Sequence, residues 1–287
     1  MAKHLFRVNL AGAFGPKGKM VTDRSDSFRI SDEAISEQMN VHVLDMPLLE
    51  AKEGSISIYG RDNIIEWGDT LYVKPGLAGG DSSSPFEKMM RNLGYQKHIE
   101  PQFTLSEGGL YVFGKEFFLV SDIFRPELRK KFKKVAKNAG LDVTLYFLPS
   151  LTTRDPGHID CDYQVIDSLR LIYGSNRIFS HDEYYRGVRK KLEGIARRHN
   201  YGLRRYVSSE EDEPTGTIDF NCENYHDIAR KFNGINSIIN NGKLLTSSIH
   251  PDERKYLKEK GMEVGIIPLG KVAPGAGLRC VYGEFNI

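Results

Sequence analysis

The feature that most limits what this 287-residue chain can fold into is the recurrence of one unit. Its first half is a hairpin pattern, a turn flanked by apolar, β-branched and aromatic residues, at Asn63–Val73, Leu110–Val120, Asn236–Leu245 and, more loosely, Tyr163–Tyr173. Its second half is a helix followed by a strand. Pro85–Asn92 leads to Gly94-Tyr95, Pro126–Asn138 to Gly140–Pro149, Asp182–His199 to Tyr201–Val207, and Pro251–Lys260 to Gly261–Pro268. Proline or aspartate at the start of such a stretch and glycine past its end are helix punctuation. The chain therefore reads as an α/β protein of hairpin–helix–strand units. Only the start resists this reading. Gly12, Gly15, Pro16, Gly18 and the Ser/Asp cluster at 23–27 look like loop, and Val41–Leu44 looks like a strand. This divides the chain into an extension of unclear role at 1–40 and a single domain at 41–287.

Polar residues fall at matching places in the units. Asp62 precedes the first hairpin, Glu107-Gly108-Gly109 the second and His158-Ile159-Asp160 the third; Asn236 opens the fourth, and Cys280 follows the last strand. If the units surround a common axis, these positions converge on one centre. Cys280 is approached through Gly275-Ala276-Gly277-Leu278-Arg279. Taken alone it could be a small buried packing residue; with a histidine and carboxylates at equivalent positions it has the pattern of a thiol nucleophile. His158 and Asp160 alternate on a strand-like segment and so point to one side. Cys161 then faces the other way, packed under the sheet, which argues against a metal held by His158, Asp160 and Cys161. Cys222 has no companion cysteine, and Gly76–Ser84 lacks the Lys-Ser/Thr ending of a phosphate-binding loop, so it reads as a surface loop. No metal or cofactor is expected.

The bulk properties exclude several classes. A formal net charge of +2 gives no electrostatic case for nucleic acid or a membrane surface as partner. The basic runs at 129–137 and 186–198 lie on helical patterns that also carry apolar residues, as a solvated helix face does. Three scattered cysteines without a CxxC pair point to a reducing compartment. With no apolar run of membrane-spanning length and too short an apolar core at the N-terminus for a secretory signal, the expectation is a soluble cytoplasmic protein. A homo-oligomer is compatible with all of this.

Four motifs in register with the repeat carry a resemblance. Ile58-Tyr-Gly-Arg61-Asp62-Asn, Ser106-Glu107-Gly-Gly-Leu, Pro156-Gly-His158-Ile-Asp160 and Gly277-Leu-Arg-Cys280 resemble, in order and position, those of the arginine deiminase and amidinotransferase superfamily. The resemblance spans residue 40 or so to the end. It implies the pentein fold, a five-bladed α/β propeller of ββαβ units with pseudo-fivefold symmetry. It also implies roles: Cys280 as nucleophile, His158 as general acid and base, Asp62 and Asp160 as carboxylates gripping a guanidinium, and Glu107 orienting His158 and substrate. Two departures stand out. Leu110 occupies the place where the family commonly has aspartate. The region Val272–Gly275 lacks the arginine that relatives binding free arginine carry there, which leaves Arg279 and Arg154 as candidates for gripping a substrate carboxylate.

The implied chemistry suits these residue types. A guanidinium is planar, cationic and a poor electrophile, and two carboxylates match its forked donors. A thiolate near its carbon attacks to form a covalent thiouronium, histidine protonates the leaving nitrogen, and water completes a hydrolysis to a ureido product and ammonia. The expected partner is a small guanidino compound such as arginine. An amine in place of water would make the protein an amidinotransferase, and a pentein that has lost catalysis would be a binding module.

Overall fold

The computed structural model describes residues 3–8, 25–39, 42–46, 64–67, 70–73, 85–96, 98–101, 111–123, 126–138, 143–151, 159–208, 233–267, 278 and 283–286. These residues form a mixed α/β structure of five three-stranded sheets. The first holds β3 (Ile64–Trp67), β4 (Thr70–Val73) and β5 (His98–Pro101), with helix α2 (Pro85–Asn92) between the last two. The second holds β6 (Tyr111–Phe113), β7 (Phe117–Ser121), α3 (Pro126–Asn138) and β8 (Thr144–Leu148). The third holds β9 (Tyr163–Ile166), β10 (Leu171–Gly174), α4 (Glu183–Arg198) and β11 (Gly202–Arg205). The fourth holds β12 (Ile238–Asn240), β13 (Lys243–Thr246), α5 (Pro251–Glu259) and β14 (Glu263–Ile266). In each, the first two strands are antiparallel and the third runs parallel to the second. A parallel pair needs a crossover, and the helix supplies it.

The fifth sheet joins the two ends of the chain. β1 (Lys3–Val8) lies between β2 (His42–Met46), parallel to it, and β15 (Gly283–Asn286), antiparallel to it, with α1 (Ser25–Met39) before β2. The first forty residues therefore supply a central strand and a helix of the same wiring. The Ser/Asp cluster that reads as loop runs into α1, whose Ile35 and Met39, one turn apart, are buried. The strand expected at Gly94-Tyr95 begins instead at His98, because Gly94 (φ 88°) and Tyr95 close the end of α2: both amides return to helix carbonyls.

Local chemistry accounts for the elements. The β12–β13 turn has φ 47° at Asn241 and 78° at Gly242, the mirror-image turn whose twist matches paired strands. Asp182 caps α4 by accepting from the Tyr184 amide at 2.8 Å. Val188, Leu192, Ile195 and Ala196 of α4 form its buried stripe, which packs with Phe117, Leu119, Leu148, Tyr163 and Ile172 into a core shared by the second and third sheets. A second core joins the third and fourth sheets through Tyr173, Tyr206, Leu244, Leu257 and Val264.

Polar ties reinforce both seams. Between the third and fourth sheets, buried Glu253 accepts from Tyr173 Oη and from Arg204 Nε at 2.7 Å. Burial and then the Glu253 contact raise the Tyr173 phenol well above its ordinary value, so it stays a neutral donor. Between the second and third, Glu116 accepts from Arg170 Nη1 at 2.7 Å and meets His199 Nδ1 at 3.3 Å, while His199 Nε2 lies 3.0 Å from Tyr146 Oη. The Arg170 hydrogen bond, then that of His199, hold the Glu116 carboxyl below its usual 4.5.

A carboxyl lowered on folding stabilises the protein above its unfolded pKa and loses that contribution as pH falls through the lowered value. Glu116→Gln should therefore be less stable than wild type at neutral pH, with the difference shrinking to nothing in acid below 4.5; urea titrations across pH measure it, and a difference independent of pH would contradict the pairing. A chain lacking residues 1–8 should lose cooperative thermal unfolding, because the central strand of the fifth sheet is gone. A wild-type Tm by circular dichroism would show β1 to be dispensable.

Candidate functional site

The described part of the candidate site lies just ahead of β9. Ile159–Cys161 forms one 3-10 turn, closed by the Asp162 amide donating to Ile159 O at 2.9 Å. Strand pairing starts only at Tyr163, opposite Gly174. This corrects the strand reading at Asp160, where the backbone is wound tight and alternation does not decide where the side chain points; His158 lies outside the described residues. Asp160 and Cys161 are both buried, at 0% and 4% exposure. Their side chains are neighbours, with Cys161 Sγ 3.9 Å from Asp160 Oδ1, rather than on opposite faces.

The turn packs against β6, β7 and β9 and against a second 3-10 turn, Asn233–Ile235, ahead of β12. Asn236, the residue just past that second turn, is also fully buried; by strand register its counterpart in the third unit is Asp162. Gln164 ties β9 to this neighbour, its Nε2 donating to Ser237 O at 2.9 Å and to Ser237 Oγ at 3.2 Å. Two units thus meet near the starts of their first strands.

A network that sequence reasoning missed surrounds this turn. Asp162, fully buried, accepts through Oδ2 from the Leu151 amide at 2.6 Å and from Ser150 Oγ at 3.5 Å. Its Oδ1 accepts from Ser175 Oγ at 3.3 Å, and its carbonyl from the Ser175 amide at 2.8 Å. Arg177 Nη1 donates to Leu151 O at 2.9 Å, and Tyr163 Oη donates to Pro149 O at 2.8 Å. Burial, then the nearby Asp162, raises the Tyr163 phenol, which keeps its proton for this bond. The available signal was a further carboxylate, Asp162, set between Cys161 and the apolar run of β9; for Arg177 no periodicity marked a buried role.

Of the residues given catalytic or substrate-binding roles from sequence, only Asp160 is among those described. Asp62, Glu107, Leu110, Arg154, His158, Arg279, Cys280, Cys222 and the stretches 76–84 and 272–275 lie outside the described residues. Leu278, two residues before Cys280, is fully buried. No group of three or more His, Cys, Asp and Glu able to hold a metal occurs among the described residues, and none of their helices is long and apolar enough to cross a membrane. A cavity of about 430 Å³ sits elsewhere, lined by Phe113, Gln164, Asp167, Ser237 and Asn241 among others. Its walls come from β6, β9, β12 and the hairpin turns beyond β9 and β12, whereas Asp160 precedes β9.

No protein-family profile and no curated protein matches the sequence. Solved structures do match in three dimensions. The N-terminal domain of ArgZ covalently bound to a reaction intermediate superposes with a TM-score of 0.63 at 13% identity, covering 98% of this chain and 97% of that one. A mutant of DDAH from Pseudomonas aeruginosa complexed with citrulline gives 0.58 at 11% identity, over 99% of this chain and all (100%) of the other. Whole apo ArgZ, an arginine dihydrolase from the ornithine–ammonia cycle in cyanobacteria, gives 0.60 at 13% identity, with 99% of this chain matching 40% of that one. ArgZ and DDAH are members of the pentein superfamily of guanidine-modifying enzymes, and this chain shares their fold.

Cys161 should stay unlabelled by a thiol-exchange reagent in the native protein and react only in denaturant, since a buried thiol is inert. Rapid native labelling, located by peptide mass, would contradict its burial.

Proposed function

We propose that this chain is a guanidine-modifying hydrolase of the deiminase type, its five sheets the blades of a pseudo-fivefold propeller with the reaction at the axis. The observation that carries this reading is the meeting of the 3-10 turns ahead of β9 and β12, with Asp160 in the first and Asn236 just past the second both fully buried. The likeness in fold to ArgZ and DDAH and the order of the four sequence motifs support it.

In this reading Asp62 and Asp160 hold the guanidinium plane, each through charge-assisted hydrogen bonds. Binding sets the central carbon beside Cys280 Sγ, so the attack becomes effectively intramolecular. The substrate's own positive charge, or His158 as imidazolium, favours the thiolate. Sulfur adds to the carbon, His158 gives a proton to the departing nitrogen, and ammonia or an amine leaves a thiouronium on Cys280. His158, now neutral, takes a proton from water as it attacks; collapse releases the ureido product and the thiolate. Glu107 orients His158. Arg279 and Arg154 are the candidates for gripping a carboxylate on the substrate tail, and arginine or a close analogue is the substrate class.

The test is to incubate purified protein with arginine, agmatine and methylated arginines and measure ureido product and ammonia. Wild type should form both with at least one substrate and Cys280→Ala with none. Asp160→Asn should lower kcat/KM by about thirtyfold or more, the scale of losing one desolvated charge partner at about 2–5 kcal/mol. Equal inertness of wild type and Cys280→Ala toward every substrate would overturn the hydrolase. Amidino transfer to an added amine in place of hydrolysis would make the protein an amidinotransferase.

A further inference from the structure

The small net charge of the chain conceals an uneven distribution. Helices α3 and α4 together hold twelve of its 40 Lys and Arg but three of its 38 Asp and Glu, which leaves the rest of the chain with more carboxylates than cations. The two basic runs, separate in sequence, meet over one strand. β8 is the outer strand of the second sheet. Arg129 of α3 lies over the Phe147 ring, 4.8 Å from its centroid. From the other side Lys191 of α4 donates to Phe147 O, and Arg198 Nη1 donates to Tyr146 Oη at 3.2 Å. Helices α3 and α4 therefore flank β8.

Their outer faces are cationic along their length. On α3, Phe132 and Ala136 are buried, while Lys130, Lys133, Lys134 and Lys137 form an exposed stripe. On α4, Arg186, Lys190 and Arg197 are exposed on the side away from its buried stripe, and Lys191 and Arg198 lean toward β8. Among the described residues none of Lys130, Lys133, Lys134, Lys137, Lys190 and Arg197 forms an ion pair, whereas Arg189 meets Glu193 at 3.8 Å. Gly187 and Gly194 share the side of α4 that carries Lys191 and Arg198, and a Cβ at either would meet nothing within 4 Å, so a chain can approach there. The carboxylates gather at one end of the face. Asp182 is engaged as the α4 cap. Asp122 lies near Tyr184, whose phenol is raised by burial and then by that charge. Tyr184 is 59% exposed and stands two turns before Lys191 on the same side of α4.

So many like charges on one face repel each other until a polyanion covers them. A bilayer surface would need an apolar patch to enter it, and the large exposed hydrophobics described on this side are Tyr184 and Ile123 alone. Single-stranded nucleic acid needs no such insertion. It takes a run of cations for its phosphates and an exposed aromatic ring on which a base stacks, and this face has both. We propose that α3, β8 and α4 form a docking face for single-stranded nucleic acid, with phosphates along the lysine stripes and a base on Tyr184. The face is separate from the guanidine chemistry above and does not rest on it.

The test uses the full chain, freed of nucleic acid, and labelled oligo(dT) or oligo(rU) about 20 nucleotides long, with binding read by fluorescence anisotropy across salt concentrations. Wild type should bind at low salt, with log K falling against log salt at a slope of about −3 or steeper. Neutralising Lys133, Lys134, Lys190 and Arg197 together to Gln should weaken binding at least about tenfold and flatten that slope by about 2 to 3, at about 0.7 per phosphate contact. The same change at four exposed lysines elsewhere, Lys88, Lys255, Lys258 and Lys260, should alter affinity by less than about threefold at physiological salt, where distant charges are screened. Tyr184→Ala should weaken oligonucleotide binding about fivefold or more and leave inorganic polyphosphate binding unchanged. Tighter binding of one oligonucleotide than the other would name the sugar. All the substituted side chains lie outside both cores, and circular dichroism checks that each variant is folded. Four results would overturn the proposal: no binding at low salt; equal losses in the two lysine sets, which means diffuse attraction; an indifferent Tyr184→Ala, which means a polyanion site without base contact; or binding to equimolar phosphatidylserine–phosphatidylcholine vesicles in place of the oligonucleotides, which means a membrane surface. None of these readouts uses turnover, so a wild type inert toward guanidino compounds leaves the outcome as it stands.

Discussion

A three-stranded sheet with a single helix cannot bury both of its faces alone, and this constraint shapes the rest of the molecule. Each sheet here must borrow apolar surface from its neighbour. The third does so on both sides, sharing one core with the second through α4 and another with the fourth through α5. The fifth sheet meets the same need by recruiting strands from both ends of the chain, β15 beside β1, and β15 in turn lies against β3 of the first sheet. Stability is thus spread over seams between like units, and no single sheet holds a core that the others merely surround.

Dispersed apolar burial is non-directional, so orientation at the seams falls to polar groups. Glu253 with Tyr173 and Arg204, and Glu116 with Arg170 and His199, join residues of different units through hydrogen bonds that demand one geometry. The two differ in what they can contribute. Glu253 is buried, and removing a partner there leaves an uncompensated group in a low-dielectric setting. Glu116 is open to solvent, where an ion pair orders side chains and adds little to stability.

Legibility in the sequence followed the range of the interactions. The third and fourth units were readable because their signals are local: an Asn-Gly turn, a capping Asp182, Pro251 opening a helix, an apolar stripe along α4. β1 was not, since the strands it pairs with include one at the opposite end of the chain, and nothing within six residues of sequence records that. α1 was hidden by its composition, because Ser and Asp compete for backbone hydrogen bonds and resemble loop, while its register shows in Ile35 and Met39 only once burial is known. At the candidate site, Asp160 could be picked out by its place in a motif. Its backbone could not, because an Asp-rich tight turn and a strand end look alike until the Asp162 amide is seen to bond Ile159.

The same distinction separates what the fold imposes from what it leaves free. The strand ladders end at Leu148 and resume at Tyr163, and of the described residues between them Pro149 and Leu151 are held by side chains, Tyr163, Asp162 and Arg177. Anchors of that kind place no demand on a strand ladder. A fold shared at 11–13% identity with ArgZ and DDAH is compatible with such an arrangement, because one set of sheets can persist while the sequence around it changes. Asp162 is where these described ends meet, its buried carboxylate taking the Leu151 amide and its own amide donating to Ile159 O.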